Sequence, residues 1–175
     1  VGELGQPSYR TRQILDWLYV KGVREVGEMT NLSKALREKL AQKTRITALR
    51  QVDCQESAVD EAVKFLFELP TGQRIESVLI VDGDRRTVCL SSQVGCPLDC
   101  KFCATGRMGM IANLEAGQIV DQLLQVSMFA RTRGERVTNV VMMGMGEPLL
   151  NYDEVVRALR LMRLEEGLGL GGRKI

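Results

Sequence analysis

Residues 95–103, with the sequence GCPLDCKFC, contain three of the chain's five cysteines. Cys96, Cys100 and Cys103 follow the spacing C-x3-C-x2-C. Three thiolates on a short loop can hold three irons of a [4Fe–4S] cube, whereas four would saturate it. The fourth iron is then open to a small molecule, so the spacing favours chemistry on a bound ligand over simple electron transfer.

Two other kinds of site compete with this interpretation. A structural zinc site needs four ligands, and the chain has no histidine, so Cys54 or Cys89 would have to complete it. A disulfide framework is disfavoured because the cysteine count is odd and nothing in the chain resembles a secretory signal. The spacing therefore favours an open-iron cluster, and it leaves zinc or no metal as alternatives.

The composition predicts a globular protein without membrane spans. The 175 residues are 45% hydrophobic and 26% charged, and the longest apolar runs fall far short of the ~20 residues that cross a bilayer. Clustered free thiols and the lack of an export signal predict a cytoplasmic location. The absence of histidine excludes Ser-His-Asp and Cys-His catalysis within these residues.

Charge is unevenly distributed along the chain. Residues 1–50 carry ten Lys and Arg against five Asp and Glu, and residues 51–175 carry fourteen against seventeen. A basic end attached to a near-neutral body suits a polyanionic partner such as RNA. A solvated helical surface explains the same pattern equally well.

Residues 1–50 are expected to form a small helical unit. Ser8 can cap a first helix, and Asn31 or Ser33 can cap a second. The predicted apolar faces are Ile14, Trp17 and Leu18 on the first helix and Leu32, Ala35, Leu36 and Leu40 on the second.

Residues 51–93 change to a strand-like period. Residues 62–69, 74–81 and 86–91 are expected to form three short strands separated by glycine-containing turns. The three strands would make a meander that leads into the cysteine stretch.

The pattern then alternates between helix and strand. A helix over about residues 115–131, capped by Asn113, precedes a parallel strand at residues 137–143 that is buried on both faces. Asn151 and Glu154 can form the capping pair of the next helix. The predicted buried stripes are Ile119, Leu123, Val126 and Ala130 on the first of these helices and Val155, Val156, Leu159 and Met162 on the second.

This order predicts an α/β fold in three parts. The parts are a helical accessory unit at residues 1–50, a short β extension at residues 51–93 and a βα core at residues 94–175. Two parallel strands cannot bury both faces of a sheet, so we expect the chain to be the N-terminal portion of a longer protein.

The run RTVCLSSQVGCPLDCKFCATG at residues 86–106 and the run NVVMMGMGEPLLN at residues 139–151 resemble a known enzyme family. The family comprises the bacterial radical S-adenosylmethionine (SAM) enzymes that methylate adenine C2 in 23S ribosomal RNA and transfer RNA. The resemblance implies the first half of a partial (βα)6 barrel, a [4Fe–4S] cluster on the three clustered cysteines, and two SAM molecules per reaction.

The resemblance also assigns contacts to SAM. Gly146 and Glu147 lie in the motif that grips the amino group of SAM, and Phe102 stands where an aromatic ring touches its adenine. The residues alone are less specific, since Gly-x-Gly before a helix is common and Phe102 suits loop packing equally well.

Two catalytic residues follow from the resemblance. Glu76 matches the proton acceptor in an R-x-E-[ST]-V run, and Cys89 matches the cysteine that releases a covalent RNA adduct through a transient disulfide. The disulfide partner, a methyl-carrying cysteine near the family's C-terminus, has no counterpart in these residues. Without the resemblance, Glu76 is either an exposed strand residue or a buried base, and Cys89 is a small core residue.

The implied partners are 23S ribosomal RNA, transfer RNA and an electron donor such as flavodoxin, and we expect a monomer. We also expect these 175 residues alone to assemble the cluster, to bind SAM poorly and not to methylate RNA. Three alternatives stay open: methylation at adenine C8, a radical SAM enzyme with a non-RNA substrate, and a non-catalytic iron–sulfur or zinc module.

Overall fold

The computed structural model describes residues 4–165 and 167–175. The helices in this part of the chain are α1 (Tyr9–Leu15), which continues as a π-helical segment (Asp16–Lys21), α2 (Lys34–Lys43), α3 (Ala116–Thr132) and α4 (Tyr152–Met162). The strands are β1 (Arg50–Glu56), β2 (Val63–Glu68), β3 (Arg74–Asp82), β4 (Arg85–Cys89), β5 (Gln93–Gly95), β6 (Met110–Asn113) and β7 (Asn139–Val141). None of these helices is both long and apolar enough to cross a membrane.

Five strands form one sheet in the order β1-β2-β3-β4-β7, and β5 pairs with β6 in a separate hairpin. Strands β1 to β4 run antiparallel to their neighbours, whereas β7 lies parallel to β4. The α/β prediction is confirmed, but the meander has four strands rather than three. The sequence does not predict strand β1, because β1 is an edge strand without a fully buried residue.

Helix α3 covers one face of the sheet. Alternate residues of the strands point at this helix, as the two-residue period of a strand requires. The buried layer comprises Phe65, Phe67, Ile75, Leu79, Val88 and Val140 from the sheet, with Ile119, Leu123, Val126 and Ala130 from α3. The predicted stripe on α3 is therefore confirmed. Helix α4 packs on α3 through Val155, Ala158 and Met162.

The other face of the sheet carries Glu76, Val78, Cys89 and Val141, which we call the open face. Val78 pairs with Cys89, and Cys89 pairs with Val141. Paired residues of neighbouring strands share a face, so these side chains lie in one row. All four are only partly buried. The prediction that residues 137–143 form a strand buried on both faces is therefore wrong, because only one face of β7 is covered.

Two helix caps in the first 50 residues have different outcomes. The hydroxyl oxygen of Ser33 accepts a hydrogen bond from the Leu36 N–H at 3.3 Å, so the cap of α2 is confirmed. Ser8 precedes α1, but its side chain makes no capping hydrogen bond. Of the predicted apolar face of the second helix, Ala35 is exposed, whereas Leu32, Leu36 and Leu40 lie in a small core with Val26 and Met29.

Polar contacts, some of them buried, fix this helical unit on α3. The carboxylate of Asp121, which is 5% exposed, accepts hydrogen bonds from the N–H groups of Ala48 and Leu49, both at 2.8 Å. The guanidinium of Arg131 donates to the carbonyl oxygens of Tyr19 and Val20 at the end of the π-helical segment. The unit therefore sits on the back of the sheet, on the side opposite the open face.

Burial raises the pKa of Asp121 above the ordinary value, while the two N–H donors oppose this effect. We predict that Asp121→Ala lowers the free energy of unfolding by about 1–3 kcal/mol, because two buried donors lose their acceptor.

Asp121→Asn keeps an acceptor oxygen and removes the charge. Since a raised pKa means that stability is lost as pH rises through it, Asp121→Asn should gain stability relative to wild type from pH 4 upward. Urea unfolding across this range measures both effects, and a pH-independent difference would contradict the assignment.

Candidate active site

Two loops meet where β4 and β7 end. The first is residues 90–93, which lead into the cysteine loop at residues 96–109, and the second is residues 144–147, which we call the glycine loop. The Gly144 N–H donates to the Leu90 carbonyl oxygen at 3.0 Å, and the Ser92 N–H donates to the Met145 carbonyl oxygen at 2.8 Å. Ligands of parallel sheets bind beyond the carboxyl ends of the strands, so the two loops occupy the expected position of a site.

The two glycines of the glycine loop are needed for this contact. A Cβ atom on Gly144 would lie 2.7 Å from the Leu90 carbonyl oxygen, and one on Gly146 would lie 2.7 Å from the Gln93 nitrogen. Gly146 also has φ +95°, which side-chain-bearing residues rarely adopt. The closest neighbour of each glycine is therefore the chain itself.

The side chain of Gln93 joins the glycine loop to the hairpin below the cysteine loop. Its carbonyl oxygen accepts from the Glu147 N–H at 2.9 Å, and its amide nitrogen donates to the Asn113 Oδ1 at 2.8 Å. Asn113 is therefore not the cap of α3. Glu115 takes that position in a capping box with Gln118.

Asn151 has a similar bridging role. Its buried amide donates to the carbonyl oxygens of Ser92 and Leu114, both at 2.8 Å. The carboxylate of Glu154 accepts from the Ala116 N–H at 2.8 Å. The predicted capping pair at the start of α4 is thus wrong, because tertiary partners engage both side chains.

A fully buried polar node lies directly beneath the two loops. The side-chain oxygen of Gln122 accepts from the Ser91 N–H at 2.9 Å and from the Ser77 hydroxyl at 2.7 Å, and its nitrogen donates to the Ser91 carbonyl oxygen at 3.0 Å. The Ser91 hydroxyl donates to the Glu76 carbonyl oxygen at 2.6 Å and accepts from the Met145 N–H at 2.9 Å. Sequence reasoning missed this node. The one feature of the sequence that could have indicated this node is Gln122, a polar residue within the apolar stripe of α3.

The cysteine loop is closed at its base by the hairpin of β5 and β6. The Cys96 N–H donates to the Gly109 carbonyl oxygen at 3.0 Å, and a Cβ on Gly95 would collide with that same oxygen. Cys96 is buried, while Cys100 and Cys103 are partly exposed. Within residues 4–165 and 167–175, no three Cys, Asp or Glu side chains are already gathered into a metal-binding group.

The donor set nevertheless fits an iron–sulfur cluster. The N–H of Gly106 and the N–H and hydroxyl of Thr105 lower the pKa of the Cys103 thiol, although burial acts in the opposite direction. The thiolate is the form that binds metal. Three thiols on one compact loop, with no fourth cysteine on it, therefore match a cluster with one open iron.

The side chains with implied SAM contacts flank these loops. Phe102 is 95% exposed on the cysteine loop, so it packs against no part of the described chain that would explain its presence. The Glu147 carboxylate accepts from the Leu149 N–H at 3.0 Å and caps the turn at Pro148–Asn151. The Phe102 ring is thus exposed, and the Glu147 side chain is partly exposed.

Glu76 and Cys89 lie on the open face, on adjacent strands. Cys89 pairs with Val78, which is two residues from Glu76 on β3. The Glu76 side chain is 46% exposed and pairs with Lys64 at 3.2 Å, so it is not the buried carboxylate that a base role favours. Burial raises the pKa of the Cys89 thiol above its ordinary value, and the Met143 N–H opposes this rise. Cys89 is therefore a protonated thiol at neutral pH.

We predict that Gly144→Ala lowers the free energy of unfolding by about 1–3 kcal/mol, because the backbone at Leu90 would have to move. Gly117→Ala is the matched control, since a Cβ there meets no atom within 4 Å and alanine favours the helix by up to ~1 kcal/mol. Urea unfolding of both variants tests this contact. Equal stability of Gly144→Ala and wild type would show that the two loops do not interlock.

Comparison with known proteins agrees with this geometry. The family model described as "Ribosomal RNA large subunit methyltransferase N-terminal domain" matches residues 1–46, and that of the "Radical SAM superfamily" matches residues 90–175. A relative from Protochlamydia amoebophila, named "Probable dual-specificity RNA methyltransferase RlmN 2", is 46% identical over 98% of this chain and 48% of its own length. A relative from Thermus thermophilus is 46% identical over 99% of the chain and 48% of its own.

A solved structure has the same fold. The radical SAM methyltransferase from Sphaerobacter thermophilus superposes with a TM-score of 0.94 at 44% identity, covering 99% of this chain and 51% of that one. The chain thus spans about half the length of the curated relatives that it matches. It belongs to the radical SAM methyltransferase family that these proteins represent.

Proposed function

We propose that this chain is the N-terminal portion of an enzyme that methylates C2 of adenosine in 23S ribosomal RNA and transfer RNA. The observation that carries the proposal is the hydrogen bonding of residues 90–93 to the glycine loop. It holds the start of the cysteine loop against Gly144, Met145 and Glu147, where β4 and β7 end. The relatives named as RNA methyltransferases support the same reaction class.

Cys96, Cys100 and Cys103 would hold a [4Fe–4S] cluster. When bound, such a cluster supplies the electron that cleaves SAM at its open iron. The hairpin that closes the loop at Gly95 and Gly109 gives the first ligand a fixed position, while Cys100 and Cys103 lie on the exposed turn.

Gly146, Glu147 and Phe102 would bind SAM. The Glu147 carboxylate can pair with the α-ammonium of the ligand, and it is held in place by its own capping of the Leu149 N–H. The exposed ring of Phe102 would stack on the adenine.

Glu76 would accept the C2 proton of the adenine, and the Cys89 thiolate would attack the sulfur of the methyl-carrying cysteine in the C-terminal half. A transient disulfide would form as the bond between that sulfur and the carbon attached to the RNA breaks. The electron pair of that bond would pass to the RNA, which takes up a proton and leaves as the methylated product.

The positions of Glu76 and Cys89 on adjacent strands of the open face let both side chains reach one substrate base. The Lys64 ammonium beside Glu76 supplies a counter-charge to the carboxylate. As a neutral thiol, Cys89 would be unreactive until it is deprotonated.

The basic residues 1–50 would bind the RNA substrate. An electron donor such as flavodoxin would reduce the cluster, and the enzyme would act as a cytoplasmic monomer. In this proposal the divisions at residues 50 and 93 separate an RNA-binding unit and a β extension from the catalytic core.

The test uses this chain joined to the C-terminal half of the Protochlamydia amoebophila relative. After anaerobic reconstitution with iron and sulfide, the protein is incubated with 23S ribosomal RNA or transfer RNA, SAM and a flavodoxin reducing system. Mass spectrometry of the nucleosides should find 2-methyladenosine. Glu76→Gln should lower its yield at least about 100-fold, since loss of a general base costs 10²–10⁴-fold.

The 175 residues alone serve as a control and should give no methylated nucleoside. Appearance of 8-methyladenosine would contradict the assigned position on the ring. Full yield with Glu76→Gln would remove Glu76 from the mechanism while leaving the reaction class intact.

A further inference from the structure

We infer that Ser91 is a positioning residue for SAM binding, and that Gln122 holds it in place. This inference rests on the proposed function, because it assigns the glycine loop to SAM. Neither residue belongs to the cysteine motif or to the glycine loop itself. Their role follows from four hydrogen bonds that converge on one buried serine.

The Ser91 hydroxyl is the only side-chain group among the described residues that bonds to both the glycine loop and strand β3. It accepts from the Met145 N–H at 2.9 Å and donates to the Glu76 carbonyl oxygen at 2.6 Å. Met145 immediately precedes Gly146, and Glu76 carries the proposed base. One hydroxyl thus sets the distance between the SAM-binding loop and the strand that presents the base.

Gln122 fixes the serine from the opposite side. The glutamine and the serine are each 0% exposed, and the glutamine amide bonds to both the N–H and the carbonyl oxygen of Ser91. A buried amide in an apolar layer is costly unless all of its hydrogen bonds are made. An apolar residue at this position of α3 would fill the same layer without that cost. We therefore attribute the presence of a glutamine here to its hydrogen bonds with Ser91.

As a consequence, a rigid element, helix α3, determines the position of the glycine loop. Helix α3, which spans the sheet, positions Gln122, Gln122 positions Ser91, and Ser91 positions the Met145 N–H. Sites supported in this way keep their geometry when the ligand is absent. Removing the hydroxyl should therefore loosen the glycine loop without unfolding the sheet.

The test compares Ser91→Ala with Ser77→Ala. The Ser77 hydroxyl also bonds to Gln122, at 2.7 Å, and Ser77 is 1% exposed, but this hydroxyl hydrogen bond goes to Gln122 and to neither loop. Both variants lose a buried hydroxyl at the same node, so they control for general destabilisation. The first readout is amide hydrogen exchange at Met145. The second is the Kd for SAM of the anaerobically reconstituted protein joined to the C-terminal half described above.

We expect Ser91→Ala to speed exchange at Met145 at least tenfold and to weaken SAM binding at least tenfold. Ser77→Ala should change both quantities less than twofold. Equal effects of the two variants, or no effect of Ser91→Ala on either readout, would overturn the inference. If the joined wild-type protein binds no SAM, the proposed function fails, whereas unchanged exchange at Met145 in Ser91→Ala would separately overturn the role of Ser91.

Discussion

The arrangement of the two loops depends on two hydrogen bonds between the Gln122 side-chain amide and the backbone of Ser91. The Ser91 N–H donates to the amide oxygen at 2.9 Å, and the amide nitrogen donates to the Ser91 carbonyl oxygen at 3.0 Å. Strand β4 ends at Cys89, and the chain must turn immediately toward the cysteine loop. A backbone that leaves a sheet in the protein interior needs partners for its polar groups. Gln122 supplies them, and it thereby fixes the point from which the cysteine loop starts and against which the glycine loop is built.

The covered face and the open face of the sheet have different roles. The covered face packs on α3 and holds the polar node, while the open face presents Glu76 and Cys89 beside the two loops. The basic helical unit is attached behind α3 through Asp121 and Arg131. The side chains that attach this unit are not those that hold the two loops together.

Much of this organisation is predictable from the sequence, and the exceptions have a common cause. The apolar stripe of α3 and the cysteine spacing are local patterns, so they identify a helix and a candidate cluster site without knowledge of the sheet. Asn113 and Asn151 have the type and position of helix caps, yet their side chains bind groups that only the tertiary fold brings near. The role of Gln122 is likewise not predictable from the sequence, because only the tertiary fold brings its partner, Ser91, beside it. The edge strand β1 lacks a buried stripe and leaves no periodic signal.

The central claim is that the cysteine loop and the glycine loop form one site for a cluster with an iron open to SAM. Electron paramagnetic resonance of the anaerobically reconstituted, reduced protein joined to the C-terminal half of the Protochlamydia amoebophila relative, with and without SAM, tests it most directly. The account predicts a [4Fe–4S]⁺ signal that changes when SAM is added. A cluster signal indifferent to SAM, or bound zinc in place of a cluster, would contradict it.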